Sequence, residues 1–193
     1  MCSQYYFDDV TEKEIRKIVA SIDSAVKFRR GVIRPSDCAA VIIGRQTGLC
    51  VEEMKWGFPS YVSHQLMINA RAETVLEKKT FSDSVLHRRC VVLADYFYEW
   101  DRTKQKAEFR RPDGKVIYMA GIYNIFEDGN RFTVLTTQAN ESVLPVHDRM
   151  PLILEDEAQL RAWIYDPGRV RELLEKTGPV LERRQEYEQL SLF

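Results

Sequence analysis

The chain has 193 residues, 45% of them hydrophobic and 11% aromatic, which suits one globular unit with a substantial core. No stretch approaches the roughly 20 apolar residues of a membrane span, and no basic start leads into an apolar run, so neither a membrane helix nor a secretory leader is expected and a cytoplasmic protein is expected. The net charge of −1 announces no polyanionic partner, yet residues 27–115 hold 17 Lys/Arg against 11 Asp/Glu while residues 155–193 hold 6 against 9.

Thr11 followed by Glu14 fits a capping box, and Ile15, Ile18, Val19, Ile22 and Val26 recur at helical spacing, predicting an amphipathic helix over 11–28. CAAVII and LCVEEMKW, joined through Gly44 and Gly48, predict a strand pair. Helices are predicted over 71–79 and 81–88. Strands follow over 90–100 (CVVLADYFYEW), 115–123 and 131–137, bounded by PDG and EDGN turns. Two more helices are predicted over 156–164 and 169–176. Strands dominate the middle without regular βαβα alternation, which predicts an α+β fold: a largely antiparallel curved β-sheet or barrel core flanked by helices. Residues 1–193 are expected to form a single domain, a monomer, with an acidic helical segment from about 155.

Cys2, Cys38, Cys50 and Cys90 are far apart, with no C-x-x-C pair and no histidine at metal-ligand spacing. Neither disulfides nor a zinc site is expected, and no metal or cofactor is implied. Cys38 and Cys90 open apolar strand-like runs, where a reduced cysteine packs as a small hydrophobe. Cys2 has no such explanation, because chain ends are seldom buried. Removal of Met1 would turn it into a 1,2-aminothiol whose amine and thiol, with ordinary pKa values of about 8 and about 8.5, are both partly reactive at neutral pH. An aldehyde would condense with the amine to a Schiff base and then close a thiazolidine ring through the thiol. The same residue could instead attack an amide as an N-terminal nucleophile. A disordered terminal cysteine is the third possibility.

Three later segments carry polar residues on rigid flanks. In INARAETV, Asn69, Arg71 and Glu73 alternate with small alanines: Arg71 offers a planar fork for phosphate or carboxylate and Asn69 both donates and accepts, although a capped helix start with Arg71 paired to Glu73 fits equally well. In ADYFYEW, Glu99 between Tyr98 and Trp100 is a general acid/base candidate in a pocket with an aromatic wall, or a solvent-facing strand residue. In LPVHDRMPLIL, His147 sits with Asp148 and Arg149 in a loop stiffened by Pro145 and Pro151. His64 and His87 are assigned structural roles.

MC at the start, WG at 56–57, NARAET, ADYFYEW, MAG at 119–121, VLTTQAN at 134–140 and HDRMP at 147–151 together resemble the SRAP (SOS-response-associated peptidase) family, collinearly up to about residue 165. The resemblance implies an SRAP-like fold and a sensor and shield of abasic sites in single-stranded DNA. It makes Cys2 the residue that forms a thiazolidine with the ring-opened sugar, Asn69 its positioner, Glu99 the proton-transfer group and His147 the aid to ring opening and cross-link reversal. It also implies peptidase self-processing of Met1, lyase activity and phosphate contact through Arg71, with Arg149 joining the DNA-binding set. Trp56, Phe58 and Tyr61 are candidates for base stacking. Family members typically begin Met-Cys-Gly-Arg. Here Ser3 and Gln4 stand instead, and Gln4 hydrogen-bonds phosphate without neutralising it, so weaker or altered DNA binding is expected. Two alternatives use the same residues: an amidohydrolase or peptidase acting on a small amide, and a non-covalent single-strand-binding module.

Overall fold

The computed structural model describes residues 2–19, 21–22, 26–60 and 65–185. In chain order the elements are β1 (Gln4–Phe7), α1 (Asp9–Ile18), β2 (Ser21–Ile22), β3 (Gly31–Ile33), β4 (Cys38–Arg45), β5 (Gly48–Trp56), β6 (Phe58–Pro59), β7 (Leu66–Met67) and β8 (Asn69–Arg71). There follow α2 (Lys79–His87), β9 (Arg89–Ala94), β10 (Tyr96–Trp100), β11 (Lys106–Arg110), β12 (Ile117–Phe126), β13 (Gly129–Gln138), β14 (Arg149–Pro151) and β15 (Ile153–Leu154). α3 (Glu157–Tyr165), a 3-10 turn (Pro167–Arg169), α4 (Val170–Leu174) and β16 (Glu182–Gln185) complete the order.

β4, β9, β12 and β13 pair in sequence with antiparallel neighbours, β5 pairs with β4, and a short parallel contact between β5 and β13 closes the ring into a five-stranded barrel. β9 is buried along its whole length, because one face fills the barrel and the other is covered by α2 and α3. A second sheet, in the order β16-β11-β10-β1-β3, lies against the barrel, with the Tyr5 ring on its inner face 5.3 Å from that of Trp56. The α+β expectation of a curved, largely antiparallel core flanked by helices holds. No helix among the described residues is long and apolar enough to cross a membrane.

Several local expectations are corrected. The first helix is capped by Asp8, whose Oδ1 accepts the amides of Val10 and Thr11, and it ends at Ile18 rather than near 28. Val19 is already extended, and Ser21–Ile22 pairs with Cys50–Val51 of β5, so Ile22 and Val26 pack on the core without being helical. Residues 20 and 23–25 lie outside the described residues. The stretch 71–79 forms successive turns, because Asn69–Arg71 is held as a strand against β13 and helix formation is delayed to Lys79. The single strand expected over 90–100 breaks at Asp95, whose amide donates to Tyr6 O; its halves belong to different sheets. The helix expected over 169–176 is the 3-10 turn plus the short α4, and the acidic end also contains strand β16. Cys90 is buried as expected, whereas Cys38 is exposed at the start of its strand and Cys2 is wholly buried.

One buried cation ties the helices to the barrel. The Arg89 guanidinium, at the start of β9, donates to the carbonyls of Val85 and Leu86 at the end of α2 and of Trp163 and Ile164 at the end of α3. Those carbonyls have no intrahelical partner, and a cation at two helix C-termini also answers their dipoles. Arg89→Ala, which takes the donor from three buried carbonyls and one part-buried carbonyl, is expected to lower stability by about 3 kcal/mol, read as a fall in the urea midpoint at unchanged m-value.

Candidate active site at the start of the chain

β1 lies between β10 and β3, in the middle of the second sheet, with Gln4 opposite Tyr98, Tyr5 opposite Phe97, and Tyr5 opposite Ile33 on the other side. Pairing on both edges fixes the strand, and so fixes the residue just before it. Cys2 is 0% exposed, and its thiol points back to Gln4 O at 3.7 Å. Asn69, 67 residues away, donates from Nδ2 to Cys2 O at 2.8 Å. Asn69 is presented by β8, which runs parallel to β13 with Asn69 beside Val134. Its alanine neighbour Ala70 is buried, a small residue that lets the strand approach closely. Burial first, and then the Glu99 carboxylate, push the Cys2 thiol well above its ordinary pKa.

Glu99 is 1% exposed. Strand alternation sets it with Phe97 on the inner face of β10, across from Ala107 and Phe109 of β11. Tyr98 and Trp100 occupy the opposite face, so they do not wall the Glu99 pocket as expected. They join an outer aromatic row in which Tyr6 stacks on Tyr96 at 4.7 Å and Lys106 Nζ sits 4.3 Å from the Tyr98 ring. Burial, reinforced by the charge of Asp148, lifts the Glu99 carboxyl to about 7. At neutral pH it is therefore divided between its acid and base forms.

His147 is half-buried, and its Nδ1 accepts the amide of Arg149 at 2.9 Å. An accepting Nδ1 leaves the proton of a neutral imidazole on Nε2. Burial lowers the pKa of His147, which favours that neutral donor form although Asp148 Oδ1 lies 3.1 Å from Nδ1. Arg149 departs from expectation. It is 9% exposed and forms a bidentate pair with Glu73, at 2.7 and 2.8 Å, with Nη2 also donating to Thr136 O at 2.6 Å. Arg149 thus clamps the His147 loop to the Asn69–Arg71 strand and is not an available phosphate ligand. The pair, separated by 76 residues in sequence, also holds Glu73 well ionised.

Asn69 is hydrogen-bonded to Cys2, the Glu99 charge acts on the Cys2 thiol, and His147 is adjacent to Asp148, whose charge reaches Glu99. Arg71 is exposed and Gln4 is half-buried on the outer face, opposite Tyr98. Trp56 and Phe58 are corrected as base-stacking candidates: both are 0% exposed. Trp56 stacks on Phe132 and donates to Ile68 O, and Phe58 packs between Phe81 and Phe126. Tyr61 and His64 lie outside the described residues. The sequence reading missed the Glu73–Arg149 clamp, for which no local signal exists. It also missed Tyr5, whose buried hydroxyl has no hydrogen bond among the described residues, and Asp148 as a charge on Glu99.

The chain matches the SOS response associated peptidase (SRAP) family over residues 1–190 and belongs to that family. Its relatives include the abasic site processing protein YoqW of Bacillus subtilis, 33% identical over 161 residues, covering 74% of this chain and 71% of the relative. Another is the abasic site processing protein YedK of Escherichia coli, 27% identical over 177 residues, covering 85% and 79%. A crystal structure of a protein from Bacteroides thetaiotaomicron shares the fold with a TM-score of 0.79 at 19% identity, covering 97% and 93%.

The raised pKa of Glu99 has a cost that depends on pH. Since the folded value of about 7 lies above the ordinary 4.5, ionising the unfolded chain withdraws stability as pH rises between those values, and the full penalty is present above about 7. Glu99→Gln should therefore raise stability by about 2–3 kcal/mol at pH 8 and leave it unchanged at pH 4, measured by urea unfolding at both values.

Proposed function

We propose that this protein captures abasic sites in single-stranded DNA by forming a covalent thiazolidine through Cys2 after Met1 is removed. The observation that carries the proposal is the Asn69 hydrogen bond to the carbonyl of a fully buried Cys2 whose thiol feels the Glu99 charge. Asn69 grips the carbonyl of residue 2, so the anchor is independent of residue 1 and leaves both the amine and the thiol for reaction.

The chemistry needs a proton donor and then a proton acceptor, which a carboxyl at about 7 supplies in turn. The closed sugar opens as the proton of its C1′ hydroxyl is relayed through solvent water to O4′, while His147 Nε2–H donates a hydrogen bond to O4′ as charge develops there. The Cys2 amine adds to the C1′ aldehyde, and Glu99 in its acid form protonates the departing hydroxyl, which leaves as water. The resulting iminium is attacked by Cys2 Sγ as the thiol proton passes to the Glu99 carboxylate, and the C=N electrons return to nitrogen. A thiol kept neutral by burial suits this last step, because it is deprotonated only as the carbon–sulfur bond forms. The buried Asn69 Oδ1, which accepts no hydrogen bond among the described residues, offers an acceptor to the amine or a sugar hydroxyl. The iminium also acidifies the C2′ proton, so its loss with departure of the 3′ phosphate gives a lyase branch. Arg71, exposed beside the Asn69 anchor, holds the flanking phosphate.

A denaturing gel with an abasic single-stranded oligonucleotide tests the proposal. The wild type should give a heat-stable shifted band. Cys2→Ala should lose it while its amine still yields a borohydride-trapped adduct, and Glu99→Gln should slow cross-linking about 100-fold. Equal heat-stable yields from wild type and Cys2→Ala contradict the proposal. Arg71→Ala should weaken non-covalent DNA binding across sequences and reduce the salt slope by about 1.

A further inference from the structure

Residues 186–193 read EYEQLSLF and follow directly on β16. In β16, Gln185 lies across from Ala107, which in turn lies across from Glu99. The chain therefore leaves the second sheet on the cross-strand row that carries the Glu99 carboxyl, two strand spacings or about 10 Å away. Eight further residues reach at most about 29 Å.

The residue types say what kind of partner fits. Glu186 and Glu188 repel phosphates, so nucleic acid is not the ligand of this segment. Behind them, Gln189 is followed by Leu190, Leu192 and Phe193, three large apolar side chains in four positions. Bound in an extended form, Leu190 and Leu192 would share one side with Phe193 next to them, which suits a protein cleft with two adjoining apolar pockets, while the Gln189 amide both donates and accepts at a polar rim.

We propose that residues 189–193 are a docking peptide for a protein that encircles DNA and carries such a cleft, so that the abasic-site reaction is delivered where strands are separated for copying. The choice of a DNA-borne partner rests on the abasic-site proposal, whereas docking is measured without DNA, so either can fail alone. The probes are the purified sliding clamps of the Bacillus subtilis and Escherichia coli replication machineries, passed over the immobilised whole chain. Binding to at least one clamp is expected, weakened by about tenfold or more in the Leu192→Ala/Phe193→Ala double variant, with cross-linking to abasic DNA unchanged. Binding to neither clamp, or binding unaffected by the substitutions, overturns the proposal. So does faster cross-linking by the double variant, which would make the segment a cover for the chain's own site.

Discussion

The hydrogen bond from Asn69 Nδ2 to Cys2 O is the constraint on which the rest of the site depends. A chain start normally pays the full entropy of ordering with few contacts in return, and here two devices offset it. β1 is paired on both edges, and the carbonyl just ahead of it is tied to a strand from the barrel. That tie also joins the two sheets, since Asn69 belongs to the barrel side through β13 and Cys2 to the second sheet. Cys2 consequently sits at the seam between them.

Burial then sets the chemistry. The same exclusion of water that keeps the Cys2 thiol protonated lifts Glu99 to about 7, so at neutral pH the thiol holds its proton while the carboxyl is divided between acid and base forms. His147 is positioned indirectly. Arg149 donates its amide to Nδ1 while its guanidinium holds Glu73 and the Thr136 carbonyl, fixing the imidazole tautomer and the loop together. A residue type associated with phosphate binding is spent on architecture, and Arg71, two positions from Asn69, is left as the exposed cation.

Much of this was legible in the letters. Alternating and β-branched runs located β4, β5, β12 and β13, and the polar residues Asn69, Glu99 and His147 stood out because rigid flanks surround them. What failed was non-local. The continuous apolar text of 90–100 could not reveal that Asp95 turns the chain from barrel to sheet, and helical spacing beyond Ile18 was satisfied by packing Ile22 and Val26 on the barrel. Trp56 and Phe58 looked like stacking platforms, yet aromatic residues at a barrel seam are more useful as core. The Glu73–Arg149 clamp spans 76 residues, and only the fold brings its halves together.

The central claim is that both nucleophiles of residue 2 close on one sugar carbon. Peptide mass spectrometry of the adduct formed with abasic single-stranded DNA, after nuclease digestion and thiol alkylation, tests it most directly. The account predicts a chain lacking Met1 whose first peptide carries the sugar remnant on Cys2, with neither a free amine nor an alkylated thiol there. A remnant on a lysine, or an alkylated Cys2 in the cross-linked peptide, would contradict it.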